Sequence, residues 1–511
     1  MDRFKEEIWL SSPRLVGVSP GPVVSLNGDW FQQRRELWPA GTNHGRQIRL
    51  MNDVIDQATR ILRGKSIEGY EIYFSQSTHF DVESKEGKIE SLETSRYLGV
   101  AFRILNHQRM GFSYTTFLNP SPSAVELISG GLDRMIDDAI RGAEATSPDR
   151  CFDFAPALKT FTSGLPIFDE TLQGIPEKRK IEEAKRLEES ARSVDPNRIK
   201  KVRKASYQDV FSRTTLINSN GLQFSYDQTL ASVSVTAVAE ESGESEVGWD
   251  FDVSHFFNDL DVEKVGRSAG SKALARLGGR RIATGAYPVL LRNHVASEFL
   301  SLLAHSFLAD QVQKGKSPLK GKQGERLFSP LLTIVDDGLY PRGTATAPID
   351  GEGVPSRRTT LVAQGELHGY LYDRYWANRE NLSASGSNVG STGNSRRHGI
   401  KSPPGVGVSN FFIEPGDLDS SKLMENLRQG VVVDDVMGLH TVDPISGDFS
   451  LGCSGDWVER GEKVHPVKSI AIAGNLFELF RKVTGVGEDL RFFGGVGCPS
   501  LLVMELLISG N

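Results

Sequence analysis

The chain has 511 residues, with 59 Lys and Arg against 65 Asp and Glu and a formal charge of −6, which is length for two or three cores at roughly 150 residues each. No basic block interleaves with aromatics, which argues against nucleic acid as a partner, and nothing approaches the ~18 continuous apolar residues of a membrane span. The cysteines, Cys151, Cys453 and Cys498, stand far apart without CxxC spacing, against a disulfide scaffold, zinc ribbon or redox pair and in favour of a reducing, cytoplasmic setting.

Residues 1–50 carry Trp9, Trp30 and Trp38, three of the six tryptophans, but no periodicity, so they are expected to be a flexible extension or a leader ahead of a true start at Met51. They also lack the basic segment and long apolar run of a secretory signal. From Met51 order begins: Val54, Ile55, Ala58, Ile61 and Leu62 share one helical face. "YEIYFSQSTHFDVESKEGKIESLETSRYLGVAFRIL" alternates apolar and polar residues around a turn at "KEGK". Helices follow at Ser123–Ala143 and, charge-laced, at Lys178–Val194. A second meander turns at "NSNG" and its small-residue strand is expected to run into acidic loops. "EKVGRSAGSKALARLGG" then forms a helix stopped by a glycine pair. Together these predict an α+β fold: residues 51–284 form an N-terminal α/β domain with an antiparallel sheet and covering helices.

Residues 285–511 predict a mainly-β domain around a central helix, with strands such as "LLTIVDD", "GVVVDDVMG" and "PVKSIAIAGN" cut by Gly, Pro, Asp and Asn. The basic stretch Gln313–Arg326 reads as a solvated loop. Ser383–Asn410 is too rich in Gly and Ser to be regular and long enough to work as a loop. Within it, Gly386 to Gly407 is the candidate for lining or gating a substrate path.

The central helix is expected from His294 to about Val312, capped by Asn293. His294, Glu298 and His305 fall on one stripe, but eleven residues put the two histidines about 16 Å apart, too far for one zinc ion with bonds of about 2 Å. His305, among Leu302, Leu303, Phe307 and Leu308, reads as a hydrogen-bonded core histidine. None of the ten histidines is followed by Glu, which excludes the usual His–Glu zinc-protease pairing. "GVSPG" matches a nucleophile elbow in letters, but Pro20 has no N–H for an oxyanion hole. "GKSPLKGKQ" has one residue too many for a phosphate-binding loop.

A family resemblance is carried by "SLETSRYLGVAFRI", "INSNGL", "APIDGEGVPSRRTTLVAQGEL", "GSTGNSRR", "FFIEPGD", "DPISGDFSLGCSGDWVERGEKVHPV", "SIAIAGNLFELF" and the C-terminal "GVGCPSLLVMELLISGN". In number and order these resemble the TldD/PmbA (TldD/TldE) proteins from about Gly69 to the end. The resemblance implies a cytoplasmic peptidase of unfolded or small peptides and peptide precursors. It also implies a zinc site of HExxxH plus a cysteine in the TldD branch, and a TldE (PmbA) branch that lacks HExxxH and joins TldD as a heterodimer.

Here Leu300-Ser301-Leu302-Leu303-Ala304-His305 fills that slot. Leu300 stands for the first histidine, Ser301 for the glutamate, and only His305 matches. Cys498, next to Pro499, lies past the family's cysteine position near Gly485. The expectation is therefore a TldE-type subunit with no catalytic or metal-ligating residue of its own, zinc held by a TldD-type HExxxH-bearing partner, and peptides as substrates. The alternatives are a self-sufficient metallopeptidase with atypical ligands such as His294, Glu298 and His440, and a binding protein that sequesters peptides without hydrolysis.

Overall fold

The computed structural model describes residues 23–25, 43–119, 122–383 and 388–510. The alternating N-terminal segments form strands β1 (Gly69–Lys85), β2 (Lys88–Asn106), β3 (Arg109–Leu118), β4 (Lys201–Asn218), β5 (Gln223–Glu241) and β6 (Glu244–Ser254). They make one antiparallel sheet in the order β3-β2-β1-β4-β5-β6. Each meander is a consecutive hairpin pair, and β1 joins β4 from Glu71↔Asn218 to Ser84↔Ala205. The "KEGK" turn is realised by Glu86 and Gly87, both left-handed at φ 52 and 73, the hand that suits a two-residue hairpin.

The expected acidic loops are a correction. Only Ser242 and Gly243 turn, at φ 49 and 83, and the acidic run becomes the edge strand β6. Its charges are tolerated because they sit at the hairpin end, where Lys468 takes both Glu244 and Glu246.

Side-chain alternation sends even-numbered β1 residues to one face. Tyr70, Ile72 and Phe74 pack with α1 (Asn43–Arg63) and α2 (Pro122–Glu144). Phe80 and Val82 pack with α3 (Glu177–Ser193) and α4 (Val262–Ala275). All four helices thus cover one face and leave the other to the C-terminal part. Helix α1 starts at Asn43, ahead of the periodicity that begins near Met51, because "NHGRQIRL" shows no apolar repeat. Val23–Ser25 pairs with Thr160–Thr162; the remainder of the expected 1–50 extension before Asn43 lies outside the described residues.

In the C-terminal part, β7 (Gly285–Leu291) sits between Gly430–Met437 and Leu501–Ser509 in a six-stranded sheet. Ala471↔Ser509 and its neighbours pair Glu462–Asn475 with Leu501–Ser509, which closes the sheet into a barrel-like ring. A second six-stranded sheet includes Ile334–Asp337, Phe411–Ile413 and Val496–Cys498. Between them lies α5 (Asn293–Ala304), sharing one apolar core with Val431 and Val433 of the ring and Ile334, Phe411 and Ile413 of the second sheet. The α+β architecture is the expected one.

Helix α5 is shorter than its pattern predicts. It ends at Ala304, and His305–Phe307 form a single 3₁₀ turn. Leu308 is extended at φ −77, ψ 128. The cause is tertiary: Leu371 N donates to Phe307 O at 2.8 Å and Ala309 N to Leu371 O at 2.9 Å, so the neighbouring segment takes the groups that a continuing helix would use. Asn293 is not the cap. Arg292 holds that position without a side-chain bond, and Asn293 Nδ2 donates to Asp489 O at 3.2 Å. No helix among the described residues is long and apolar enough to cross a membrane.

Candidate functional site

Helix α5 presents its core face through Val295, Ala296, Phe299, Leu300 and Leu303, with Leu300 fully buried. Phe299 packs on Phe449 with ring centroids 5.0 Å apart, and Ser297 Oγ donates to Val496 O at 3.0 Å. Ser301 and His305 face outward and are exposed. The expected core histidine is therefore a correction: His305 keeps helical dihedrals and lies one turn on from exposed Ser301, on the outward side of the helix. The position that would carry a first zinc-binding imidazole points into apolar packing, while the other two point out.

The remaining candidates do not converge either. His294 is wedged between aromatic rings, 5.8 Å from Trp249 and 5.9 Å from Phe493. Burial, with Lys272, Arg276 and Arg491 nearby, pushes its pKa down to about 3. A neutral imidazole facing three cations is poorly placed to receive a fourth. His440 sits exposed in the short turn Leu439–Thr441. Cys498 is buried, and that burial raises its thiol pKa well above the ordinary value; Cys453 is pushed up to about 12 by burial and then Asp435. Among the described residues no group of three or more His, Cys, Asp and Glu could share an ion. The zinc chemistry of the TldD branch therefore does not fit these residues.

What the structure does assemble is a buried polar junction between the uncovered sheet face and the C-terminal part. Odd-numbered β1 residues line it. At one end Arg103 Nη1 reaches Glu71 Oε1 at 3.3 Å and its Nη2 reaches Glu352 Oε1 at 3.5 Å. Arg397 pairs with Glu71 and lies 4.3 Å from the Tyr73 ring centre. Behind them Asp350 accepts Glu352 N and Val354 N, each at 2.9 Å, and Ser395 N at 3.0 Å. Asp373 accepts Trp376 N at 2.9 Å. Burial, then the charge of Glu352, raises both Asp350 and Asp373 to about 7.

Further along the same face is an open cavity of about 470 Å³ lined by Ser77, His79, Asp81, Glu93, Ser95 and Tyr97. There Ser77 Oγ and His79 Nε2 are 2.8 Å apart, and Tyr97 stands edge-on to His79 at 5.1 Å. Burial lowers the His79 pKa, against Asp209. This open pocket can hold a small polar ligand by hydrogen bonds.

The segment "APIDGEGVPSRR" did not show that Glu352 ties the two parts together through Arg103, and Ser77, His79 and Asp81 did not stand out. Their alternation on one strand was visible. Their partners were not, since Arg103 and Glu352 are 249 positions apart.

Four helices on one face of an antiparallel sheet, set against a ring of strands around a central helix, define a two-part α+β protein whose central helix has no metal-binding set among the described residues. Residues 70–143, 170–277 and 284–510 match domain 1, the central domain and the C-terminal domain of the PmbA/TldA metallopeptidases. The chain belongs to the PmbA/TldD metallopeptidase family and has a proteolysis-related role. Metalloprotease PmbA of Escherichia coli O157:H7 is 28% identical over 476 residues, spanning 91% of this chain and 97% of that protein. A TldD homologue of Haemophilus influenzae is 26% identical, over 88% and 95% of the two chains. The crystal structure of TldE from Thermococcus kodakarensis shares the fold at a TM-score of 0.79 and 22% identity, covering 90% of this chain and all (100%) of that one.

Proposed function

We propose that this chain is a non-catalytic, TldE/PmbA-type subunit of a TldD–TldE-like zinc metallopeptidase complex in the cytoplasm, acting on unfolded or small peptides and peptide precursors. The observation that carries this reading is the placement of Leu300 in the core, with Ser301 exposed beside it. The zinc belongs to an HExxxH-bearing partner. This chain supplies shape: it encloses the chamber and offers strand edges to an extended peptide, where main-chain pairing tolerates varied sequences. The likeness to TldE supports the reading.

The test is purification of the chain alone, zinc measurement, and peptide cleavage with and without a TldD-type relative. Activity only on mixing is the expected result. Stoichiometric zinc with chelator-sensitive cleavage by the chain alone would instead establish a self-sufficient enzyme, and binding without cleavage in either condition would establish a sequestering protein.

A further inference from the structure

Asp81 and Glu93 stand directly opposite each other on β1 and β2, and both line the open cavity of about 470 Å³ on the uncovered sheet face. Like charges in that cross-strand arrangement repel. The rest of the lining, Ser77, His79, Ser95 and Tyr97, holds no Lys or Arg to offset them. Gln208 Nε2 donates to Oδ2 of Asp81 and leaves Oδ1 open; Glu93 has no ion pair or hydrogen bond among the described residues. Burial raises the Asp81 pKa, Gln208 and Lys204 oppose the shift, and Glu83 and Glu93 add to it. Burial also holds the His79 imidazole below its ordinary pKa, so it brings no charge of its own at neutral pH. Ser95 is only 6% exposed, yet its hydroxyl lines the cavity with no hydrogen-bond partner among the described residues. Its burial leaves the cavity as the side from which a partner can come.

We propose that this pocket receives the cationic end of a Lys or Arg side chain in an extended peptide, a proposal that rests on the strand-edge role above. Two carboxylates and the Ser95 hydroxyl supply acceptors, and Tyr97, 45% exposed, supplies an aromatic surface; together these suit an organic cation. A metal ion is not the match, since no group of three His, Cys, Asp and Glu among the described residues could share one. The edge beside the pocket is free to carry the peptide main chain. Strand β2 has its outer neighbour, β3, only from Tyr97 to Asn106. From Lys88 to Ser95 no strand among the described residues pairs with that outer side. A peptide paired there sets every second side chain on the face that carries Glu93 and Ser95. The segment expected to line a substrate path borders the site. Ile400 is seated over Gly99, two residues on from Tyr97 on the same face, where a Cβ would stand 2.9 Å from Ile400 Cγ1. (Residues 384–387 of that segment lie outside the described residues.)

The experiment uses the full chain and a peptide labelled at its N-terminus and amidated at its C-terminus, followed by fluorescence anisotropy. One central position holds Lys, Arg, norleucine or Glu in turn. The Lys and Arg forms are expected to bind at least about fivefold more tightly than the norleucine form, and the Glu form more weakly than it. E93Q, and D81N, which keeps an acceptor for Gln208, are each expected to shrink that margin, with circular dichroism confirming that the variants fold. The comparison on the unaltered chain stands even if they do not. Unlabelled norleucine peptides with a free or an acetylated N-terminus, used as competitors, separate a chain-terminal ammonium from a side chain. Equal binding of the Lys and norleucine forms overturns the pocket while leaving the strand-edge role intact. A margin that both folded variants leave unchanged overturns the assignment to Asp81 and Glu93. A free N-terminus that competes as well as a Lys side chain overturns the assignment to a side chain. Failure of every peptide to bind overturns both readings.

Discussion

Leu300 decides more about this protein than any residue in its polar junction. A helix position inside a core shared by two sheets accepts a branched apolar side chain and little else. Restoring the family's histidine there does not restore a site, because the imidazole would enter apolar packing with no partner for its polar nitrogens. The neighbours Leu300 and Ser301 also diverge, one inward and one outward. L300H is expected to cost about 3 kcal/mol of stability, read by urea denaturation, with no gain of bound zinc. A neutral effect on stability would show that the position is not packed as described. Much of this was readable from letters alone, since the missing imidazole and carboxylate are visible in "LSLLAH". The end of the helix after Ala304 was not, because it depends on Leu371, which bonds Phe307 and Ala309 from more than 60 positions further on.

At the scale of elements, period-2 alternation marked most of the strands, and the helices α2 to α4 followed their apolar spacing closely. The failures have one kind of cause: long-range pairing. Strand β6 is acidic, and its partner β5 makes it a strand, not its own composition. A second feature is a close approach that recurs in both meanders. Gly111 on β3 faces Ala139 and Ala143 of α2, and Gly248 on β6 faces Ala269 and Ala273 of α4. A Cβ at either glycine would run into helix backbone, so only glycine lets each outer strand lie against its helix. G248A is expected to cost about 3 kcal/mol, again by urea denaturation. A loss below about 0.5 kcal/mol, the range of an ordinary surface change, would mean that α4 does not press on β6.

For the whole molecule the junction between the two parts is the pH-sensitive place. Asp350 and Asp373 start from 3.8 as free groups and are raised to about 7 in the fold, by burial first and then by Glu352. A carboxyl raised in the folded state favours folding while protonated, so its contribution is fully present below the unfolded value and is lost as pH rises through the folded one. The fold around this junction is therefore expected to lose stability between about pH 4 and about pH 7, seen as a falling Tm. D373N keeps an acceptor for Trp376 N and is expected to flatten that slope. An unchanged slope in D373N would remove Asp373 from the account. Such a junction could not be foreseen from the sequence, because its charges come from β1, β2, the 350s and the 370s and meet only in the fold.

The measurement closest to the centre of this account is the zinc content of the purified full-length chain, grown with zinc in excess and freed of loosely held metal by dialysis. The expected result is far less than one zinc per chain, with zinc appearing only when a TldD-type partner copurifies. One tightly held zinc per chain in the absence of any partner would contradict it.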